Sequence, residues 1–489
     1  MTTKEIIKAA CWKLCERGAY QIVQLVVQIV LARILLPSDF GEMAILLVFI
    51  ALSNALVQTG ISSAIVQKDE CSQSDYGTAT ILSLAFALGL YALLFAVAPL
   101  IANFYAHDGL VTTLRVLALT LPLNALNSIQ VGKATRELDI KPVFKSTTTA
   151  CVVSGVVSIA MALDGWGIWS LIAQQIVLRV VTTITMWLWQ GRWIPSPIFS
   201  IEAAREIWRF GWRLAASSVI YNLYQNCLDL ITGKAFSMTL LGFFSQGRKL
   251  PYITVNCLDG AIQTIVFSAL SKVQNNKVEF MSLMRNAMKT MVAFVAPLML
   301  FMAVAAEPIV LVAFGEKWLD CVPFFQLFCI GYSLVSVSSA NQQAFNAIGR
   351  SDIFLKIEIA KTSLGLMTLT AAILISGDIY VVAVCAASVT IISTAINAYP
   401  SKAIFNYSYG RQIQDLLPSL VSASLAAAVL VLAKLLMDAV CESSLVELLL
   451  LALTMVLLYS VFSILCKNKP VTSLHDRARK LILKTLESK

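Results

Sequence analysis

The sequence predicts an all-α integral membrane protein of about fourteen transmembrane helices, and its composition, its apolar runs and its charge distribution indicate this class. The chain has 489 residues, of which 58% are hydrophobic and 13% are charged. An ordinary soluble protein has a charged fraction of about 25%. Here the charges group into short segments between apolar runs of roughly 20 residues, the length that an α-helix needs to cross a bilayer.

The apolar runs define the predicted spans. They lie at residues 18–34, 41–66, 76–105, 110–132, 143–163, 166–190, 210–236, 241–265, 291–311, 322–347, 354–375, 380–404, 417–436 and 445–465. Most of the 37 Lys and Arg residues fall in every second connecting segment, so the positive-inside rule places those segments and both termini in the cytoplasm. The connections on the opposite side are short, which leaves no soluble domain large enough for an active site of its own.

An internal repeat divides the predicted bundle. A register of about 201 residues aligns the first span with the seventh without a gap. The matched pairs are Tyr20 with Tyr221, Gln21 with Asn222, Gln24 with Gln225, Gln28 with Asp229, Arg33 with Lys234 and Gly41 with Gly242. Apolar matches between membrane helices arise by chance, whereas these polar matches do not. We therefore predict two homologous six-helix lobes plus two C-terminal helices.

The repeat sets the expected domain organisation. Residues 1–17 form an amphipathic cytoplasmic N-terminus, 18–191 the N-lobe, 192–209 a cytoplasmic linker, 210–404 the C-lobe, 405–466 the two appended helices, and 467–489 a basic cytoplasmic tail. No small-residue cleavage site follows the basic N-terminal segment, so we expect no cleaved signal peptide.

Two of the predicted helices carry a polar stripe. Its positions recur every three or four residues, at Arg17, Gln21, Gln24 and Gln28 in one helix and at Ser218, Asn222, Gln225 and Asp229 in the other. One interpretation is that the stripes form interhelical hydrogen bonds. The other is that they line a water-filled cavity between the lobes, and the corresponding places of the two stripes favour the cavity.

Charged residues add to the candidate site. An ionised group at the bilayer centre costs at least about 2.5 kcal/mol, so its presence indicates a partner or an aqueous pathway. Asp229 and Arg248 are expected at similar depth, where they form a structural ion pair or a proton or substrate site. The candidate cavity residues are Arg17, Gln21, Gln24, Gln28, Arg33, Asn222, Gln225, Asp229, Lys234, Arg248 and Asp259. The cations among them would attract an anionic substrate.

The sequence lacks the motifs of ATP-driven pumps and of common hydrolases. It contains no Gly-rich nucleotide-binding loop and no nucleophile elbow, and its 11 cysteines lie mostly in apolar runs without paired spacing. We expect no catalytic residue, no metal site and no cofactor, with coupling to H+ or Na+ left open. The net charge of +9 is spread over the connecting segments, which indicates topology and not a nucleic-acid partner.

Four short segments carry a family resemblance over the chain as far as about Lys402. They are ARILLPSDFG at 32–41, Asp229 followed by Gly233 and LGFF at 241–244, GEKW at 315–318 and AIGRSD at 347–352. In this order they resemble the polysaccharide transporter family, the Wzx-type O-antigen and colanic acid flippases of the multidrug/oligosaccharidyl-lipid/polysaccharide flippase superfamily. The chain departs from the family pattern at Phe244 and Gln246.

The resemblance implies a function. Such a protein is a V-shaped bundle that moves undecaprenyl-pyrophosphate-linked oligosaccharide across the bacterial inner membrane by alternating access. The sugar and pyrophosphate would occupy the polar cavity while the polyprenyl tail stays in lipid. The implied partners are the lipid-linked oligosaccharide and membrane lipids, with a polysaccharide polymerase and chain-length proteins as further candidates and no nucleic acid.

Two other functions remain open. A cation-coupled multidrug or small-molecule antiporter has the same fold. A membrane glycan polymerase or ligase also has many helices, but such an enzyme generally needs a sizeable outer loop with catalytic Arg or His residues, and the outer loops here are short.

Overall fold

A computed structural model describes residues 20–68, 71–137, 139–438 and 443–473, and within these ranges the chain is almost entirely α-helical and has no β-strand. Contacts divide the chain into two units, Met1–Ser245 and Gln246–Lys489. The boundary between them lies inside a single long helix, Met238–Lys272.

The first unit contains nine helices among its described residues and the start of a tenth. They are α1 (Tyr20–Ile34), α2 (Pro37–Asn54), α3 (Gly60–Gln67), α4 (Gln73–Tyr105), α5 (Gly109–Leu117), α6 (Thr120–Arg136), α7 (Lys141–Leu163), α8 (Ile168–Trp189), α9 (Ile201–Ala235) and the beginning of α10 (Met238–Lys272). A π-helical turn, Ala55–Thr59, joins α2 to α3. Helices α7 and α8 form a close antiparallel pair, and α9 packs against α2, α3 and α4.

The second unit contains the rest of α10 and the helices that follow it. They are α11 (Lys277–Val304), α12 (Ala306–Ala313), α13 (Val322–Tyr332), α14 (Val335–Ala347), α15 (Ser351–Ser376), α16 (Ile379–Ala398), α17 (Ser401–Phe405), α18 (Tyr409–Asp438) and α19 (Ser444–Leu465). Met284, Met288 and Met291 recur on one face of α11 and are fully buried against α14 and α18. Helix α18 packs in turn against α19.

Eleven helices in the described ranges are long and apolar enough to cross a membrane. They are Pro37–Gln67, Gln73–Tyr105, Gly109–Arg136, Lys141–Leu163, Ile168–Trp189, Lys277–Val304, Glu316–Ala347, Lys356–Ser376, Ile379–Phe405, Tyr409–Met437 and Ser444–Leu465. The other three predicted spans fall on α1, α9 and α10, which are the helices with the predicted stripes and buried charges. The all-α membrane class is confirmed, and the number of fourteen spans stays a prediction.

Two predicted spans are broken in the middle. The span at 110–132 is interrupted between Leu117 and Thr120, and the span at 322–347 between Tyr332 and Val335. At the first break, Pro122 lies in the first turn of α6. Backbone N–H groups in this turn have no acceptor within the helix, so the missing N–H of proline costs no hydrogen bond. The hydrophobic run alone did not reveal these breaks, because both halves are apolar.

Helix α9 begins inside the predicted linker at 192–209. Ser200 caps it, since its side chain accepts a hydrogen bond from the Ala203 N–H at 3.3 Å. The connection before this cap docks on α4, where the Ser200 N–H donates to the Thr78 hydroxyl at 2.9 Å. An added Cβ at Gly77 would lie 1.9 Å from the Ser196 carbonyl oxygen, so only glycine permits this approach. The two lobes predicted on either side of this linker stay a prediction.

Helices α2 and α10 cross in backbone contact at two glycines. A Cβ added at Gly41 would lie 1.8 Å from the Met238 carbonyl oxygen, and one added at Gly242 would lie 1.9 Å from the Pro37 carbonyl oxygen. Gly41 matches Gly242 in the 201-residue register, and Pro37 matches Met238. The two contacts of this Gly41–Gly242 crossing are therefore reciprocal, as an internal repeat with pseudo-two-fold symmetry predicts.

We expect Gly41→Ala to lower the free energy of unfolding by about 2–3 kcal/mol, because the added methyl group meets backbone atoms that cannot rotate away. Thermal unfolding of the purified protein in detergent, followed by tryptophan fluorescence, measures the change. Gly89→Ala on α4 is the matched control, since an added Cβ there has no atom within 4 Å. Equal stability of the Gly41→Ala variant and the wild-type protein would contradict the crossing.

Candidate functional site

The predicted cavity residues fall in both units. Arg17 and the side chain of Gln225 lie outside the described part of the structure. Asp229 belongs to the first unit and Arg248 to the second, so the predicted pairing of these two residues stays a prediction.

Helix α1 packs against α7 and α8 through its first turns. Tyr20 and Val23 contact a buried cluster formed by Ala150, Cys151 and Leu178. The Gln24 side-chain oxygen accepts a weak hydrogen bond from the Cys151 thiol at 3.6 Å. Gln24 therefore contributes to helix packing, in agreement with the first interpretation of the stripe.

The matched residues Gln28 and Asp229 are almost equally buried. Their exposed fractions are 7% and 6%. A buried amide and a buried carboxylate both require polar surroundings, because transfer of either group into an apolar environment without hydrogen bonds is unfavourable. The repeat thus places two buried polar groups at corresponding sequence positions, and one of them is ionisable.

Other stripe residues differ in exposure. Gln21 is half-buried and Arg33 is exposed. Asn222 is half-buried, and its side-chain amide donates to the Ser218 carbonyl of its own helix at 2.8 Å. A local bond of this kind satisfies the amide without a second helix.

Lys234 is anchored at the end of α4. Its ammonium group donates to the Phe104 carbonyl and lies 4.5 Å from the centre of the Phe104 ring. Arg115 makes the same two contacts with Phe95 on the same helix, with an Nε to carbonyl distance of 3.2 Å and a guanidinium to ring distance of 4.0 Å. Both cations are fixed in position by a carbonyl group and an aromatic face.

Asp259 on α10 is the centre of a polar network in the second unit. Its exposed fraction is 3%. One carboxylate oxygen, Oδ2, accepts hydrogen bonds from Gln263 Nε2 at 2.6 Å and from the Ser339 hydroxyl. Gln343 extends the network, because its Nε2 donates to Gln263 Oε1 at 3.2 Å. Ser339 and Gln343 are one turn apart on α14, an i, i+4 polar pair that the sequence reasoning missed.

The second carboxylate oxygen of Asp259, Oδ1, determines what this network can bind. Oδ1 is buried and has no hydrogen-bond partner among the described residues, and within that part of the chain Asp259 forms no ion pair. A buried carboxylate that is held by neutral donors on one side only is a place where a proton or a cation binds favourably. Arg248, on the same helix, is half-buried.

The network adjoins a cavity of about 430 Å³. Gln343 lines it together with Phe267, Asn346 and Gly349. Gly349 has a left-handed φ of 74° and ends the helix, after which Arg350 pairs with Asp352 through two 2.8 Å contacts at the start of α15. This pairing holds the pKa of Asp352 at about 2. The AIGRSD segment is therefore a helix-to-helix turn beside the cavity.

No group of three or more His, Cys, Asp or Glu side chains in the described ranges is placed to hold a metal ion.

Comparison with known proteins assigns the family. A family model described as "Polysaccharide biosynthesis protein" matches residues 30–323. The chain belongs to this family. The match includes the last residues of α1 and all of α2, α9 and α10, and therefore the crossing and seven of the eleven candidate residues, but not Arg17, Gln21, Gln24 or Gln28.

Two curated relatives agree with this assignment. The chain is 26% identical to the lipopolysaccharide biosynthesis protein WzxC of Escherichia coli (strain K12), over 70% of this chain and 69% of the relative. It is 21% identical to the succinoglycan biosynthesis transport protein ExoT of Rhizobium meliloti (strain 1021), over 72% and 71%. The resemblance to polysaccharide transporters is thereby confirmed, and so is the expectation of a transporter and not an enzyme.

A solved structure shows the same fold. The lipid II flippase MurJ in an inward closed conformation aligns with a TM-score of 0.73 at 15% identity, covering 92% of this chain and 97% of MurJ. The chain is thus a multi-pass membrane protein with the fold of this flippase structure.

We expect Ser339→Ala to lower the free energy of unfolding by about 1–3 kcal/mol, because the buried carboxylate of Asp259 loses one of its two donors. Thermal unfolding in detergent measures the loss. Ser333→Ala is the control, because among the described residues its hydroxyl bonds only the Ile330 carbonyl, in the last turn of α13, at 2.7 Å. If both variants keep the wild-type stability, the network does not hold Asp259.

Proposed function

We propose that this chain is a flippase that translocates undecaprenyl-pyrophosphate-linked oligosaccharide, the repeat unit of a surface polysaccharide, across the bacterial cytoplasmic membrane by alternating access. Membership of the polysaccharide biosynthesis family supports the pathway. The likeness to a structure named as a lipid II flippase supports the mode of action. The structural observation that carries the proposal is the matched burial of Gln28 and Asp229 beside the reciprocal crossing.

The chemistry of the substrate explains why such a protein needs buried polar groups. A sugar pyrophosphate bears charges and hydroxyl groups, which are costly to move through about 30 Å of hydrocarbon. The polyprenyl tail is apolar and gains nothing from leaving the lipid. A helix bundle that offers amides, a carboxylate and cations to the head group, and leaves the tail in the membrane, lowers the barrier to crossing.

Topology and assembly complete the proposal. We place both termini in the cytoplasm, because most Lys and Arg residues then face inward. The lobes at 18–191 and 210–404 would rock about the candidate cavity, with the helices at 405–466 attached to the second lobe. A polysaccharide polymerase and chain-length proteins are the expected partners, since they act on the same glycan.

Substitution of two candidate cavity cations tests the substrate contacts. We expect Lys234→Gln and Arg248→Gln each to reduce transport at low substrate concentration by about tenfold or more, since a hydrogen bond to a charged group contributes about 1.5–3 kcal/mol. The measurement is the translocation of a labelled lipid-linked oligosaccharide in proteoliposomes, supported by the amount of surface polysaccharide in a complemented deletion strain.

Arg115→Gln is the matched control for Lys234, because Arg115 makes the same carbonyl and ring contacts on α4 and is not a candidate cavity residue. Normal transport by both cation variants at wild-type membrane levels would contradict the proposed contacts. A deletion strain that gains drug sensitivity but keeps its surface polysaccharide would instead favour a multidrug antiporter.

Energy coupling is proposed to use the buried carboxylate Asp259. Its Oδ1 is buried without a hydrogen-bond partner among the described residues, and Ser339 and Gln263 hold Oδ2 in place. We expect Asp259→Asn to fold, because the amide oxygen still accepts from both donors, but to lose the stimulation of transport by an imposed H+ or Na+ gradient. Transport in proteoliposomes with and without each gradient measures this.

Asp164→Asn, at an exposed position after α7, is the control and should respond to the gradient as the wild-type protein does. Gradient-driven transport by the Asp259→Asn variant would exclude Asp259 as the coupling group.

A further inference from the structure

A second polar cavity lies in the second unit, away from the Asp259 network along the chain. It has a volume of about 560 Å³ and is lined by the first turns of α11 and by the connection between α17 and α18. Four of its lining residues are cations, namely Lys277, Arg285, Lys289 and Arg411. None of its described lining residues is a carboxylate.

A buried carboxylate behind the cavity holds two of these cations in place. Asp415 on α18 accepts hydrogen bonds from Arg285 Nε at 2.6 Å and Nη2 at 2.8 Å. Arg285 Nε donates to Oδ2 and Nη2 to Oδ1; Lys289 Nζ also lies 2.8 Å from Oδ1, and the Tyr407 hydroxyl donates to Oδ2 at 2.8 Å. The Asp415 side chain is only 9% exposed, whereas those of Arg285 and Lys289 are 43% and 23% exposed.

This arrangement leaves an excess of positive charge and of unused donors. Two cations share one carboxylate, so the cluster keeps one positive charge, and Lys277 and Arg411 add two more. Arg285 has five N–H donors and Lys289 has three. Asp415 accepts hydrogen bonds from only some of them. Because Asp415 already fixes both side chains, an arriving anion meets donors that need little further ordering.

The length of α11 puts this cavity at the membrane surface. The helix has 28 residues and is therefore about 42 Å long, which exceeds the hydrocarbon thickness of about 30 Å. Its charged residues all lie in the first half, up to Lys289, and residues 290–304 carry none. The excess length thus projects at the cavity end. The positive-inside rule assigns this end to the cytoplasmic side.

We propose that this cavity binds the phosphate group of an anionic phospholipid from the cytoplasmic leaflet. Basic pockets between membrane helices on this side are suited to phosphate head groups. The lining also offers an apolar part, formed by Val278, Met281 and Phe405, next to the cations. A lipid bound there bridges α11 and the start of α18. The proposal does not depend on the substrate that the chain transports.

The test uses the full-length protein in detergent and native mass spectrometry with short-chain phosphatidylglycerol, phosphatidylcholine or inorganic phosphate. The variant carries Lys277→Gln and Arg411→Gln, two exposed cations that do not hold Asp415. We expect its affinity for phosphatidylglycerol to be about tenfold lower than that of the wild-type protein, because each cation near a lipid phosphate contributes substantially to binding. Lys402→Gln, a cation on α17 that does not line the cavity, should bind as the wild-type protein does.

Three results would overturn the proposal. The first is equal phosphatidylglycerol binding by the double variant and the Lys402→Gln control. The second is equal affinity of the wild-type protein for phosphatidylglycerol and phosphatidylcholine. The third is loss of inorganic phosphate binding in the double variant without any loss of lipid binding, which would assign the cavity to free phosphate.

Discussion

The close approach of two backbones at Gly41 and Gly242 is the constraint on which the first unit depends. No side chain fits at either glycine, because the carbonyl groups of Met238 and Pro37 occupy the space. The crossing fixes where α2 and α10 begin relative to each other. It also fixes α1 and α9, which precede those helices by a few residues. Gln28 and Asp229 lie equally far in sequence from the crossing, and both are buried.

Much of the architecture followed from features that are local in the sequence. The apolar runs were sufficient to predict an integral membrane protein, and the 201-residue register already paired Gly41 with Gly242. The breaks before Thr120 and Val335 were missed, because a hydrophobicity pattern does not distinguish a continuous helix from two collinear ones. The apolar run did not predict the start of α9 at Ile201, because the first turns after the Ser200 cap are polar.

The sites were less predictable than the fold. Asp259 was selected by its charge within a span, but its partners Ser339 and Gln343 lie on a helix far along the chain. Asp415 and its two cations were not singled out at all, because they fall at helix ends where charged residues are normal. Sequence patterns identify which faces are polar, and only tertiary packing determines which polar faces meet.

The two buried carboxylates of the second unit illustrate opposite uses of the same group. Asp415 is surrounded by two cations and a tyrosine hydroxyl, so its charge is stabilised and its geometry is fixed. Asp259 has neutral donors on one oxygen only. The first arrangement compensates the charge of the carboxylate, whereas the second leaves one oxygen without a hydrogen bond among the described residues. This contrast is why we assign a structural role to Asp415 and an exchange role to Asp259.

The polarity of α9 also has a consequence for biogenesis. The helix is 35 residues long, yet its described residues do not form a stretch apolar enough to qualify as a membrane span by composition. Charged residues at a helix centre oppose partitioning from the translocon into lipid. Helix α9 packs against α2, α3 and α4, which are synthesised before it. We therefore expect α9 to enter the membrane against a bundle that is already in place, which makes the order of synthesis part of the folding mechanism.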